Sequence, residues 1–195
     1  MSETGVRERY KLVIIGDSAV GKTTIASYYT NNACSQEHIP TVGAGYFGAD
    51  IEIDGELHLF DIWDTAGQEL YRSLVPHYAR RAVGALVVFD VTYRPSFENL
   101  SNWLDFVTGE SSDIVILVFG NKTDLVAERQ VTTEEAMQWT EDLGLLYMEG
   151  SGLTGTNVNE CFFKLAKRCL DARRTQKAEI SNISLEETSK ITGCC

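Results

Sequence analysis

Residues 16–23 read GDSAVGKT, with the strand-like run YKLVIIG (10–16) directly before them and the helical stretch TTIASYYT directly after. This is the pattern GxxxxGK[ST] in the strand–loop–helix setting that gives it meaning. Few arrangements accommodate it, because the loop must expose its own N–H groups at the end of a buried strand and the start of a helix. There those donors and the helix N-terminus can wrap the β- and γ-phosphates of a nucleotide. Ser18, Ala19, Val20, Gly21 and Thr24 supply backbone to that cradle. Lys22 adds a charge that no neutral side chain replaces, and the Thr23 hydroxyl can ligate Mg²⁺. Isolated from its flanks, the same stretch would read as an ordinary glycine turn.

The rest of the chain repeats the alternation. GALVVFD (84–90) and IVILVFG (114–120) are near-continuous apolar runs, as expected of parallel strands covered on both faces. FGADIEI (47–53) alternates instead, Asp54–Gly55 signals a hairpin, and LHLFDIW (57–63) returns antiparallel to it. LLYM (145–148) is a short last strand. Between these runs, Phe97, Leu100, Leu104 and Val107 recur at helical spacing, and Thr132 with Glu135 forms a capping-box pattern ahead of another helix. Val158, Cys161, Phe162, Leu165, Ala166, Cys169 and Leu170 make an apolar helical stripe. The expected fold is α/β: one domain with a mostly parallel six-stranded sheet, one antiparallel edge strand, and helices on both faces. It should span residues 10–173, after a flexible N-terminus at 1–9 and before a flexible polar tail at 174–195.

Composition narrows the function. A net charge of −11 repels nucleic-acid backbones and anionic lipid alike. The five cysteines form no zinc-type spacing, and Cys161 and Cys169 fall on the apolar helical stripe, a usage that suits a reducing compartment. MSETGVRERY lacks the apolar core of a secretion signal, Ser2 excludes N-myristoylation, and no apolar run approaches a membrane span. A cytoplasmic protein is expected.

Two further motifs sit at strand ends. In IWDTAGQE (62–69), Asp64 falls at a carboxyl edge, where it can hold magnesium, and Gly67 can offer its N–H to a γ-phosphate. Gln68 can orient an attacking water. In NKTD (121–124), the Asp124 carboxylate can accept from the N1–H and 2-amino groups of guanine, a donor pair adenine lacks. Asn121 and Lys122 would brace the base and the phosphate loop. Alone, each motif is more often a surface turn; together and in this order they point to GTP. A metabolic ATPase or kinase would share the phosphate loop but needs an adenine pocket and an acceptor site. A degenerate module that binds nucleotide without hydrolysing it is the other alternative.

The three motifs together resemble the Ras superfamily of small GTPases, and the resemblance runs from about Tyr10 to about Arg173. TVGAGY (41–46), IWDTAGQE and YRSLVPHYARRAVGALVVFDVT (71–92) resemble the Rab branch. The resemblance implies a GTP/GDP switch requiring Mg²⁺ that regulates vesicle trafficking. Thr41 would touch Mg²⁺ and the γ-phosphate in the GTP state only. Ser151, Gly152 and Leu153 would form the loop over guanine, and Tyr46, Trp63 and Tyr78 would present nucleotide state to effectors. It also implies an exchange factor, an activating protein, escort and dissociation-inhibitor proteins, and a monomeric state. The terminal Cys194 and Cys195 resemble the Rab signal for double geranylgeranylation, two chains being needed for stable anchoring. RSLVPHY and GNKTDLVAERQVT are similar to Golgi members, GDSAVGK and LLYM to endosomal ones, so the expected site of action is the cytosolic face of one of those membranes.

Four positions depart from the family pattern. Leu153 replaces a lysine of the guanine loop, Cys34 a phenylalanine at the base edge, His38 a tyrosine, and Leu70 an arginine. The first two predict weaker nucleotide retention than is usual in the family. No arginine is placed as a finger in cis, so intrinsic turnover should be slow, on the order of 10⁻⁴ to 10⁻³ s⁻¹.

Overall fold

The computed structural model describes residues 8–31, 44–66, 75–109 and 113–191. Strands β1 (Arg9–Ile15), β2 (Ala44–Ile53), β3 (Glu56–Thr65), β4 (Gly84–Asp90), β5 (Val115–Asn121) and β6 (Leu146–Glu149) form one sheet in the order β2-β3-β1-β4-β5-β6. The pair β2–β3 is antiparallel and every other pairing is parallel. The hairpin turns at Asp54–Gly55, both with positive φ (54° and 81°), the geometry a two-residue connection between twisted strands requires.

Helices α1 (Lys22–Asn31) and α6 (Val158–Ile191) cover one face of the sheet, and α2 (Val75–Ala79), α3 (Arg94–Glu98), α4 (Leu100–Thr108) and α5 (Thr133–Asp142) lie on the other. The sequence explains the division. In β1, Leu12 and Ile14 point toward α1 and α6, while Val13 and Ile15 point toward the opposite helices. With period two and both faces covered, the strand interiors must be apolar, hence the unbroken LVII of β1 and the buried run 84–89 of β4, which the buried Asp90 closes. The cysteine reading holds: Cys161 and Cys169 are buried free thiols within the core, and burial pushes the Cys169 thiol up to about 12.

Helix α5 starts where the capping pattern places it. Thr132 is its N-cap and accepts from the Glu135 N–H at 3.1 Å. The Glu135 carboxylate also accepts from both terminal nitrogens of Arg94, at 2.8 and 2.7 Å, which ties α3 to α5 and holds that carboxyl below its usual range.

Two boundaries differ from the sequence reading. Strand β1 begins at Arg9, whose guanidinium grips Asp61 on the neighbouring β3, so ordered structure starts within the stretch expected to be flexible. Helix α6 continues to Ile191, well past Arg174. The apolar stripe does end at Leu170, but neither glycine nor proline occurs from Val158 to Thr192, and Lys, Glu, Ala, Gln and Leu are good helix formers. Propensity continues a helix that the core has nucleated even where no stripe marks it.

Candidate functional site

The parallel strands end on one edge of the sheet, and the polar motifs follow them there. The chain runs from β1 to β3 on one side and to β4 on the other, so β1 ends at the topological switch point where open α/β sheets bind ligands. The loop 16–21 leaves β1 at this point and leads into α1.

Lys22 is buried, 6% exposed, under the loop it belongs to. Its ammonium donates to the carbonyl oxygens of Gly16 (2.9 Å) and Asp17 (2.6 Å), so the loop curls around its own cation. Burial brings the Lys22 pKa down to about 8, against the opposing pull of Asp64 and Asp17. Exposed Ser18 and Ala19 form the crest of the loop, Ala19 at a positive φ of 62°, while Val20 anchors in the core. Gly21 is required by space as well as by its φ of 96°: a Cβ there would lie 2.2 Å from the Asn121 side-chain nitrogen.

Thr23 and Asp64 meet although they lie far apart in sequence. The Thr23 hydroxyl donates to Asp64 Oδ2 at 2.6 Å. Asp64 is 1% exposed near the end of β3, opposite Ile14 of β1. The following Thr65 donates to the Ile14 carbonyl at 2.8 Å and pins this end of β3 against β1. A hydroxyl and a carboxylate are hard oxygen donors of the kind Mg²⁺ prefers, so the residues present fit that ion.

On the side of β5 and β6, Asn121 ends β5, buried, with both ends of its amide engaged. Its Nδ2 donates to the Val20 carbonyl of the phosphate loop at 2.7 Å, and its Oδ1 accepts the Gly152 N–H at 2.9 Å. Backbone bonds from Thr123 to Gly150 and from Gly150 to Gly120 close the two loops onto each other. Ser151, 1% exposed, folds its hydroxyl back to accept the N–H groups of Leu153 and Thr154. Leu153 itself is exposed at 60%, and Asp124 is exposed at the rim. Lys122 takes a positive φ of 70° and pairs with Asp90 at 2.6 Å, which anchors its ammonium at the end of β4.

The aromatic trio is assembled. The Trp63 ring lies 5.7 Å from Tyr46, edge-on, and 6.0 Å from Tyr78. Tyr46 is 54% exposed, and its hydroxyl donates to Asp61 at 2.7 Å and accepts from Arg9 at 3.1 Å. Thr41, Gly67, Gln68, Cys34, His38, Leu70, Cys194 and Cys195 lie outside the described residues. The structure thus joins Lys22, Thr23, Asp64, Asn121, Lys122, Ser151 and Gly152 around one edge. It adds partners the sequence did not single out: Asp90 for Lys122, Thr65 for β1, and Arg9 with Asp61 for Tyr46. The one sequence cue among them is that Asp90 and Thr65 each close a strand.

Comparison with known proteins decides the family. A model of the Ras family matches residues 11–171. The chain belongs to the Ras family. Ras-related protein Rab-5A of Dictyostelium discoideum is 38% identical over 192 residues, 96% of each chain. Ras-related protein Rab-11C of the same organism is 41% identical over 157 residues, 80% of this chain and 70% of that protein. GTP-binding protein ypt2 of Schizosaccharomyces pombe is 35% identical over 190 residues, 95% of each. Within the Ras family this chain is a Rab-type small GTPase, a guanine-nucleotide switch regulating vesicle trafficking.

Proposed function

We propose how this Rab-type GTPase divides the work of the switch among its residues. The amides of Ser18 to Thr24 and the Lys22 ammonium hold the β- and γ-phosphates of GTP. Thr23, Thr41 and Asp64 hold Mg²⁺, which when bound neutralises charge on the phosphate oxygens. Asp124 selects guanine through its paired donors, and Asn121, Lys122, Ser151, Gly152 and Leu153 shape the pocket around the base. Thr41 and the Gly67 N–H reach the γ-phosphate, and Gln68 orients the attacking water. Hydrolysis removes the anchor those two segments share, and partners read the difference. Tyr46, Trp63 and Tyr78 form the face effectors read.

The observation that supports this reading best is the double engagement of Asn121. One amide fixes the spacing between the phosphate loop and the guanine loop, which must match the span of a single nucleotide. Denaturing the purified protein and identifying the released nucleotide tests it: GDP or GTP is expected, and ATP would overturn the guanine assignment.

The same reading extends to the cell. The nucleotide-binding unit spans residues 10–173 and acts as a monomer. It responds to an exchange factor and an activating protein, and it travels with escort and dissociation-inhibitor proteins. Residues 174–195 space it from the cytosolic face of a Golgi or endosomal membrane, held there by geranylgeranyl chains on Cys194 and Cys195. Among the described residues no helix is long and apolar enough to cross a membrane. The net charge of −11 supplies no attraction for anionic lipid or nucleic acid, so two lipid chains must do the anchoring. Intact mass after expression in a eukaryotic cell checks this: an increment of two prenyl groups is expected.

A further inference from the structure

The phosphate loop contains a carboxylate, Asp17, that none of the roles above uses. A negative charge beside a phosphate site weakens binding unless something directs it elsewhere. Among the described residues, Asn99 and Trp103 donate to this one. Asp17 Oδ1 accepts from Asn99 Nδ2 at 2.5 Å and from the Trp103 indole Nε1 at 2.9 Å. Trp103 lies on α4, is 1% exposed, and can only donate through its ring nitrogen, so a buried indole here needs such an acceptor. Asn99, between α3 and α4, is fixed in orientation because its Oδ1 takes the Asn102 amide at 2.6 Å, which leaves Nδ2 for Asp17. The backbone carbonyl of the same Asp17 receives Lys22 at 2.6 Å.

We propose that Trp103 and Asn99 are positioning residues for the phosphate loop, acting through Asp17. This deepens, and rests on, the reading of that loop as the phosphate site. The loop is then tied at two places from one half of the sheet: at Asp17 from α4, and at Val20 from Asn121. Lys22 and the loop amides are held in place before nucleotide arrives, which lowers the ordering cost of binding and slows release.

GDP release from the full-length chain, loaded with a fluorescent GDP in Mg²⁺, tests the tether. Hydrogen bonds to a charged partner predict that Trp103→Phe and Asn99→Ala each speed release by about tenfold. Asn99 makes no side-chain cap bond to α4, so its variant should fold even if the tryptophan variant does not. Asp17→Ala removes both bonds and should release at least as fast, and adding Trp103→Phe to it should add almost nothing, because the Trp103 bond is already gone. Asp17→Asn keeps an accepting oxygen and should release more slowly than Asp17→Ala. Release at the parent rate from the Trp103 and Asn99 variants, multiplying effects in the double variant, or equal rates for the two Asp17 variants would overturn the proposal. A parent chain that retains no guanine nucleotide would instead bring down the phosphate-site reading and the tether together. A parent that holds GDP beside unaffected variants removes the tether alone.

Discussion

At the scale of single residues, Asn121 joins the loop after β1 to the loop after β6. Its amide is buried, so Asn121→Ala strips a partner from the Val20 carbonyl and from the Gly152 N–H without letting water replace them fully. Two such losses cost about 2–4 kcal/mol. The expected outcome is a lower melting temperature and GDP release faster by about two powers of ten, read by stopped-flow exchange. Unchanged release would mean that the two loops keep their spacing by other means. Gln68→Leu tests a different step. If that amide orients water, hydrolysis measured with an activating protein should fall by at least about 10²-fold while GTP binding is retained. Turnover at the parent rate would remove Gln68 from the role.

At the scale of elements, the contact between α1 and the guanine loop carries a prediction of its own. Gly155 has a φ of 80°, and a Cβ there would sit 1.9 Å from the Tyr28 ring. The tyrosine therefore lies across the loop that follows Ser151, and only glycine leaves it room. Gly155→Ala should displace the loop and speed GDP release, and Tyr28→Ala should relieve part of the effect, leaving the backbone strain of the positive φ. A double variant as fast as the single one would show that the ring is not what the new methyl meets. The elements also show how far the sequence could be read. β4 was readable to the residue, because burial on both faces forces an apolar run and Asp90 ends it. The phosphate loop and the NKTD turn were readable because their chemistry is local. Tyr28 against Gly155, Lys122 on Asp90 and Asp17 beneath α4 were not, because each joins segments far apart in sequence and leaves no periodic trace. The end of α6 leaves no such mark for the opposite reason: the buried stripe stops at Leu170, and the helix outlasts it.

The ion pair between β1 and β3 offers a pH test at the same scale. Arg9 bonds Asp61 and, with Tyr46, holds that carboxyl below its ordinary range, the Arg9 hydrogen bond being the main cause. A carboxyl whose folded pKa is depressed contributes stability above its unfolded value, near 4, and loses it as pH falls toward the folded value. Melting temperature between about pH 5 and pH 3 should therefore drop less steeply in Asp61→Asn than in the parent. Parallel curves would show that the pair contributes nothing measurable, as happens with many exposed pairs.

At the scale of the whole molecule, the site is not a lobe attached to a core. Its side chains stand at the ends of β3, β4 and β5, on the first turn of α1 and on loops that continue from β1 and β6, so they hold their spacing only while the sheet is intact. A ligand bound there binds the folded chain and has no counterpart in the unfolded one. Stability must then rise with free nucleotide as RT ln(1 + [L]/Kd), about 4 kcal/mol at a thousandfold excess over Kd. For a chain of 195 residues each kcal/mol is worth about 2–4 °C, so stripping the nucleotide with a chelator and phosphatase should lower the melting temperature by about 10 °C. Adding GDP back should restore it in proportion to the logarithm of its concentration, and ATP should not if Asp124 reads guanine as proposed, since adenine lacks the N1–H and 2-amino donor pair. If Thr23 and Asp64 hold Mg²⁺ as proposed, chelation alone, with GDP left in place, should give a smaller drop that Mg²⁺ reverses, because without the ion the Thr23 hydroxyl and Asp64 satisfy each other. A melting temperature indifferent to GDP would mean that the strand ends do not converge on a guanine nucleotide at all.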